Sequence, residues 1–131
     1  MQEPVWVPPL VVEIAHHGQI QEHGGLPGIR DANALEAALA RPQQKWTYDP
    51  DADLALLAAA YAYGIATSHP FNDGNKRSAL IAMVVLLDLN GYVLTASEVE
   101  VVPVILSLAA GELSEAALRG WVAQHMAVRE G

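Results

Sequence analysis

An unbroken run of apolar residues, from Ala79 to Leu87, limits most strongly what this chain can fold into. Wound into an α-helix, such a run is apolar on every side, so the helix has to lie inside the protein. Asn90-Gly91 follows as a typical C-terminal stop, and Gly74 precedes the run in a polar loop. We therefore predict a helix from about Gly74 to Asn90 that lies buried at the centre of the domain.

The composition supports a helical class for the whole chain. Hydrophobic residues make up 52% of the 131 residues and aromatic residues only 6%, so the core is built mainly from Ala, Leu, Val and Ile. Abundant alanine favours helices over strands, and a chain of this length suits one domain with one core. We predict an all-α domain over residues 1–131, a compact bundle of about six helices around the buried central helix.

The first two predicted helices both end at a residue that disfavours helical structure. Pro8-Pro9 can open the first, which runs to about His17, because Gly18 follows. Its apolar face is formed by three residues: Leu10, Val11 and Ile14. The second helix follows Asp31, a candidate N-cap, and stops before Pro42.

The third predicted helix is bounded by acidic residues at its start and by a proline after its end. The segment Asp49–Asp51 starts this helix, and Asp51 and Asp53 suit its positive N-terminal end. The helix ends near Ser68, because Pro70 disfavours helical geometry at His69 and favours an extended backbone there.

The C-terminal third contains one predicted extended segment and two predicted helices. Tyr92–Leu94 can be extended, and Ser97 followed by Glu100 is a capping box that opens a fifth helix. Pro103 marks either a kink in that helix or its true start. Ser114 caps a sixth helix.

Charge and composition narrow the classes of partner. The net charge is −8, and the seven Lys and Arg residues are scattered apart from the adjacent Lys76 and Arg77. Nucleic-acid binding needs a basic stripe, so we expect no direct nucleic-acid binding and interpret the pair as a site for a small anion. The chain has no cysteine, no basic signal-peptide start and no apolar run near the ~18 residues of a membrane span. We expect no membrane association and a cytoplasmic location.

A polar loop from His69 to Arg77 precedes the apolar helix and can form a phosphate site. The first N–H groups of a helix lack internal partners and carry partial positive charge, so they can bind an anion. Gly74 allows an anion to approach the backbone closely. Asn75 can donate an amide hydrogen bond, and Lys76 and Arg77 add two positive charges.

Three further residues of this loop have candidate roles. His69 is a candidate general base, because an unperturbed histidine has a pKa of about 6.5. Asp73 is a candidate Mg²⁺ ligand, because Mg²⁺ typically joins carboxylates to phosphate oxygens. Phe71, the sole phenylalanine of the chain, is a candidate anchor that packs the loop into the core. Each residue also has a purely structural interpretation, and Asp73 could be an ordinary N-cap.

Residues outside this loop carry weaker signals. Three histidines suggest a zinc site at first sight: His16, His17 and His23. Adjacent helical residues do not face the same way, so we do not favour that interpretation. Arg30 and Asp31 are either part of the functional pattern or simply a surface ion and a helix cap. The segment Gly24–Gly28 is either a flap over the loop that aligns a target chain or a plain turn.

The loop resembles the signature of the Fic/Doc superfamily, H-x-F-x-[DE]-G-N-[GK]-R. Every specified position matches: His69, Phe71, Asp73, Gly74, Asn75, Lys76 and Arg77. The resemblance implies a helical fold and transfer of a phosphate-containing group from ATP or another nucleotide to a protein hydroxyl. It also implies that His69 is the general base and that Asp73 binds Mg²⁺. The phosphates would then be held by the remaining polar part of the loop: Gly74, Asn75, Lys76 and Arg77.

Two positions depart from the nucleotidyl-transferring Fic pattern and match the Doc (death-on-curing) branch. Lys76 stands where those proteins have a second glycine, and Leu80 stands where they have a second arginine. The missing arginine removes charge-assisted phosphate contacts, typically worth ~1.5–3 kcal/mol each. The Doc resemblance implies transfer of the terminal phosphate, as in a protein kinase.

The Doc resemblance also implies a toxin of a toxin–antitoxin pair, whose target class is a translation elongation factor and whose effect is arrest of protein synthesis. Many Fic proteins carry an internal inhibitory motif, [ST]-x-x-x-E-[GN], which this sequence lacks. We therefore expect restraint by a separate antitoxin with a disordered inhibitory segment. Two alternatives stay open: a Fic-type nucleotidyl transferase that attaches AMP, and a non-enzymatic module that binds an antitoxin.

Overall fold

The computed structural model describes residues 1–130, which form six α-helices and a small two-stranded sheet. In chain order the elements are α1 (Pro9–His23), α2 (Ala32–Tyr48), α3 (Leu54–Ser68), α4 (Asn75–Leu89), β1 (Tyr92–Leu94), α5 (Glu98–Ala109), α6 (Glu115–Gln124) and β2 (Met126–Val128). The predicted all-helical class is confirmed. The segment Tyr92–Leu94 is extended as expected and pairs antiparallel with β2.

The helix at the centre of the bundle is α3, not α4 as predicted. Nearly every residue of α3 from Ala55 to Ala66 is buried, and the helix packs against α2, α4, α5 and α6. A glycine of α3 allows a close approach to α2, since a Cβ on Gly64 would lie 3.2 Å from the Cα of Ala38. The apolar run in α4 is less enclosed, because Leu80 and three later residues stay half-buried. Apolar content indicated that a helix is buried but did not rank the two helices.

Helix α1 does not break at Gly18, contrary to the prediction. It continues to His23 and ends at Gly24, whose φ of 81° is left-handed and whose N–H donates to the carbonyl of Ile20. Glycine in a helix interior costs only about 1 kcal/mol relative to alanine, so it weakens the helix without ending it. The predicted apolar face is also wrong in orientation. Leu10 and Ile14 are exposed, and the helix buries Val12 and His16 instead.

Helix α2 passes through Pro42 and ends at Tyr48, so the predicted stop is also wrong. A proline inside a helix removes one backbone hydrogen bond, at a typical cost of ~3 kcal/mol or more. Here the ring is buried on the same side as Leu35, Ala38 and Leu39, so its packing offsets that cost. The predicted N-cap is correct, since Asp31 accepts a hydrogen bond from the N–H of Ala34 at 3.0 Å.

Helix α3 starts later than predicted, because Asp53 caps it. The Asp53 carboxylate accepts from the N–H of Leu56 at 2.8 Å, whereas Asp49 belongs to the end of α2. Arg119 of α6 donates to the carbonyl of Asp51 at 3.0 Å and to the carboxylate of Asp53 at 3.1 Å. The start of α3 is thus held by a side-chain cap and by an arginine from another helix.

The C-terminal helices begin where the sequence predicted. Ser97 and Glu100 form the capping box of α5, and the hydrogen bond from the Ser97 N–H lowers the pKa of the Glu100 carboxyl below its ordinary value. Pro103 lies inside α5 and does not delay its start. Ser114 caps α6, and Leu118 is buried against the core.

Candidate active site

The predicted loop lines a depression of about 670 Å³ at the point where α3 ends and α4 begins. The end of α1 and the glycine segment after it form the opposite wall. The lining residues are Gln19, Ile20, His23, Gly24, Gly25, His69, Asn72, Asp73, Gly74, Asn75, Lys76 and Arg77. The fold therefore brings six of the seven predicted site residues to one surface, while Phe71 lies beneath it, 1% exposed.

The N-terminus of α4 is capped by a glycine, and like α1, which follows Pro8, it has no capping side chain. Gly74 has a φ of 77° and no side chain that could accept from the first turn. The first N–H groups of α4 thus have neither an intrahelical acceptor nor a side-chain cap. The N-caps of α2, α3, α5 and α6 do accept such a bond: Asp31, Asp53, Ser97 and Ser114. The backbone N–H donors and the positive end of the helix macrodipole at the start of α4 are therefore suited to bind an anion.

Asn75 lines the depression, but its amide is used inside the loop. Its Oδ1 accepts from the N–H of Phe71 at 2.9 Å, and its Nδ2 donates to the carbonyl of Phe71 at 3.0 Å. The sequence predicted this amide as a phosphate donor. In the structure the side chain holds the backbone at Phe71 and thus the shape of the loop. An amide NH₂ carries two donors and this bond uses one of them, so the phosphate contact stays a prediction.

Helix α1 supports the loop through His16, a residue that the sequence suggested only as a doubtful zinc ligand. The His16 ring stacks on Phe71 with centroids 3.8 Å apart, and its Nε2 donates to the carbonyl of Asp73 at 2.8 Å. The side chain is 4% exposed. Its spacing of four residues from Val12, also buried, places both on the inner face of α1. That spacing was the one sequence signal for this contact.

The glycine segment after α1 is paired with the loop along its length. Ile29 and Phe71 form an antiparallel bridge, and the N–H of Asn72 donates to the carbonyl of Gly28 at 3.1 Å. The N–H of Leu26 donates to the Asp73 carboxylate at 2.6 Å. The segment predicted as a flap or a turn is therefore fixed to the loop and forms one rim of the depression.

His69 has a left-handed backbone, with φ 49° and ψ 57°, so the predicted extended conformation is wrong. The following proline keeps its predecessor out of the right-handed helical region, but the left-handed C-cap of a helix satisfies that restriction too. A left-handed non-glycine residue typically costs ~1–3 kcal/mol. The imidazole is exposed and lines the depression, where it can exchange a proton with a bound molecule.

The charged residues of the site are exposed at the same rim. Lys76 and Arg77 lie in the first turn of α4, and Arg77 Nη1 lies 3.4 Å from His23 Nε2. The carboxylate of Asp73 is exposed beside them. Within residues 1–130 no group of three or more His, Cys, Asp or Glu residues could hold a metal. A single carboxylate at a phosphate site suits Mg²⁺ that takes its remaining ligands from phosphate oxygens and water.

Comparisons with known proteins find a matching family and two similar proteins. The profile described as the Fic/DOC family matches residues 8–87. The chain is 36% identical over 99 residues to Protein kinase doc of Escherichia phage P1, an alignment that covers 76% of this chain and 78% of that protein. It is 43% identical over 75 residues to Toxin Doc of Mycolicibacterium smegmatis, covering 56% of this chain and 57% of that protein. No helix in the described part of the chain is long and apolar enough to cross a membrane.

Proposed function

The chain belongs to the Fic/DOC family, on its Doc branch, and we propose that it is a Doc-type toxin that transfers the terminal phosphate of a nucleoside triphosphate to a protein hydroxyl. One observation carries the choice of reaction. Lys76 is exposed at the first turn of α4 and lines the depression, whereas Leu80, one turn later, packs against the core. The positive charges of the site, on Lys76 and Arg77, therefore lie close to Gly74. The position of Leu80, where nucleotidyl-transferring Fic proteins have a second arginine, contributes no charge.

In the proposed reaction the hydroxyl oxygen of the target attacks the terminal phosphorus. A new oxygen–phosphorus bond forms, the bond to the bridging oxygen breaks, and the nucleoside diphosphate leaves with that electron pair. His69 accepts the proton of the hydroxyl, for which its exposed imidazole at the rim of the depression is suited. A positioned general base typically contributes about 10²–10⁴-fold in rate.

The start of α4 holds the phosphates in this proposal. Its free N–H groups donate to phosphate oxygens, Gly74 leaves room for them, and Lys76 and Arg77 neutralise their charge. Asn75 contributes by fixing Phe71 and thus the shape of the loop. Phosphoryl transfer needs positioning and charge neutralisation more than covalent chemistry, and these residues supply both.

Asp73 is the proposed Mg²⁺ ligand. Its carboxylate is exposed at the rim and already held on one side by the N–H of Leu26. When bound there, Mg²⁺ would neutralise negative charge on the phosphates. Asp73 also orients the loop, because its backbone carbonyl accepts the hydrogen bond from His16.

We also propose two protein partners. Both relatives are Doc proteins, one named as a kinase and the other as a toxin, which supports a protein substrate and a separate antitoxin. A translation elongation factor is the proposed substrate, and a segment that is disordered when free and folds on binding is the proposed inhibitor.

The experiment is a labelling assay with ATP carrying the label at either the α or the γ phosphate, in a cell extract with Mg²⁺. We expect a labelled protein only with γ-labelled ATP, and no label with the His69→Ala variant. His17→Ala, which removes an exposed histidine of α1 outside the depression, is the matched control. Label from the α position alone would show nucleotidyl transfer instead. Cellular toxicity that survives His69→Ala would indicate the non-enzymatic binding module.

A further inference from the structure

The backbone at His69 is strained, and something has to hold it. Among the described residues, His69 is the only non-glycine residue with a positive φ. Such a conformation persists only where the surrounding structure holds it in place. The residue is also the last before Pro70 and the first after α3, so few intrahelical bonds are available to fix it.

Arg30 makes the contacts that fix this backbone. Its Nε donates to the carbonyl of His69 at 2.7 Å, and its Nη2 donates to the carbonyl of Ser68 at 3.0 Å. These two carbonyls belong to the peptide planes on either side of the His69 Cα. The angles φ and ψ of His69 describe how those planes are rotated relative to each other. One rigid guanidinium that holds both carbonyls therefore restricts both angles.

The backbone of Arg30 is itself anchored to the loop. The N–H groups of Arg30 and Asp31 both donate to the carbonyl of Pro70, at 2.8 and 3.1 Å, next to the bridge between Ile29 and Phe71. A positive side chain is also favourable at the negative C-terminal end of α3. The segment that carries Arg30 is thus hydrogen-bonded to the loop, and this fixes the position of the guanidinium at the end of α3.

From these contacts we propose that Arg30 is a positioning residue: it holds His69 in the left-handed conformation that directs the imidazole to the depression. The inference rests on the proposed role of His69 as the general base. Within residues 1–130, the residues that line the depression do not include Arg30. Arg30 therefore acts through His69 and not by contact with the nucleotide.

The test compares kinetics of phosphate transfer in Arg30→Ala, Arg30→Lys and Arg119→Ala. Arg119 is the matched control, because it donates to a backbone carbonyl at the other end of the same helix. We expect kcat of Arg30→Ala to fall by about 10²-fold, the order that small misplacements of a reacting group produce. We expect KM for the nucleotide to stay unchanged, and kcat of Arg119→Ala to stay near that of the wild type.

Chemical rescue of Arg30→Ala by added guanidinium distinguishes a positioning role of Arg30 from a general loss of structure. Millimolar guanidinium, well below denaturing concentrations, is expected to restore part of kcat to Arg30→Ala and none to His69→Ala. Arg30→Lys is expected to recover little, because an ammonium group cannot reproduce two fixed N–H donors. The backbone ¹³C shifts of His69 provide a readout without activity, and they are expected to lose their left-handed values in Arg30→Ala.

Each other outcome overturns the inference. A kcat of Arg30→Ala near the wild-type value, with His69→Ala inactive, refutes the role of Arg30 and leaves the proposed function intact. A raised KM with unchanged kcat would place Arg30 in nucleotide binding. An equal loss in Arg119→Ala would indicate stability alone. If Arg30→Ala does not fold, the test relies on Arg30→Lys. Wild-type values of both its kcat and the backbone ¹³C shifts of His69 would then refute the positioning role of Arg30. A fully active His69→Ala refutes the proposed function itself.

Discussion

At each end of α3 an arginine from another part of the chain donates to backbone carbonyls, but the backbone conformations at the two ends differ. At the N-terminal end Asp53 is extended, with φ −131°, and Arg119 donates to a nearby carbonyl. At the C-terminal end His69 is left-handed, with φ 49°, and Arg30 donates to two carbonyls. The first end has an unstrained backbone and a satisfied cap. The second end carries strain beside an exposed imidazole.

The difference indicates that the two ends serve different purposes. An N-cap hydrogen bond in a relaxed backbone lowers the free energy of the folded state. A strained non-glycine residue raises it, and such residues cluster where function requires a particular geometry. We therefore expect substitutions at the N-terminal end to change stability without changing transfer. Substitutions at the C-terminal end should change transfer, and glycine at His69 should give a more stable protein than alanine at the same position.

The largest expected effect separates function from strain at His69. Both His69→Ala and His69→Gly should lose about 10²–10⁴-fold in transfer rate, because both lack the proposed general base. The glycine variant should nevertheless be more stable than the alanine variant by about 1 kcal/mol, because glycine adopts a left-handed backbone without a Cβ clash. Urea unfolding measures the free energy of unfolding of each variant, and the assay with γ-labelled ATP measures its transfer rate. An alanine variant as stable as the glycine variant would show that the position is not strained.

A smaller loss is expected where α1 supports the loop after α3. His16→Leu removes the stack on Phe71 and leaves the carbonyl of Asp73 without its donor. Loss of this part-buried hydrogen bond typically costs about 0.5–1.5 kcal/mol, which should appear as a lower urea midpoint together with slower transfer. His17→Leu, at an exposed neighbouring position, should stay within about 0.5 kcal/mol of the wild type. Equal effects of the two variants would contradict the assigned role of His16.

The smallest expected effect is at the N-terminal end of α3. Asp53→Ala removes the cap and should lower the free energy of unfolding by about 1 kcal/mol without changing kcat. Asp53→Asn keeps a capping side chain and loses only the charge that faces Arg119, an exposed pair worth about 0–1 kcal/mol. A fall in kcat for either variant would mean that the two ends of the helix are coupled.

Local signals in the sequence predicted which residues lie together at the candidate site and where several helices are capped. The signature from His69 to Arg77 lies on one surface apart from buried Phe71, and the caps at Asp31, Ser97 and Ser114 are where expected. Each of these features depends on residues only a few positions apart. Their hydrogen bonds form within one turn, so spacing alone identifies them.

Features decided by tertiary packing were not predicted. Pro42 is tolerated inside α2 because its ring is buried against the core, which no local rule includes. Three alternating aspartates precede α3, and their local spacing does not distinguish Asp53, the true cap, from Asp49 and Asp51. The left-handed backbone of His69 depends on Arg30, which is 39 residues away in sequence.

Phe71 offers a practical route to watching this loop. It is the sole phenylalanine of the chain, it is buried, and it stacks on His16 between α1 and the start of α4. Biosynthetic replacement with fluorophenylalanine would place one fluorine label in the protein, without mutation. Its ¹⁹F resonance would be sensitive to ring currents from His16, so a single peak could follow loop rearrangement as nucleotide, Mg²⁺ or antitoxin is added.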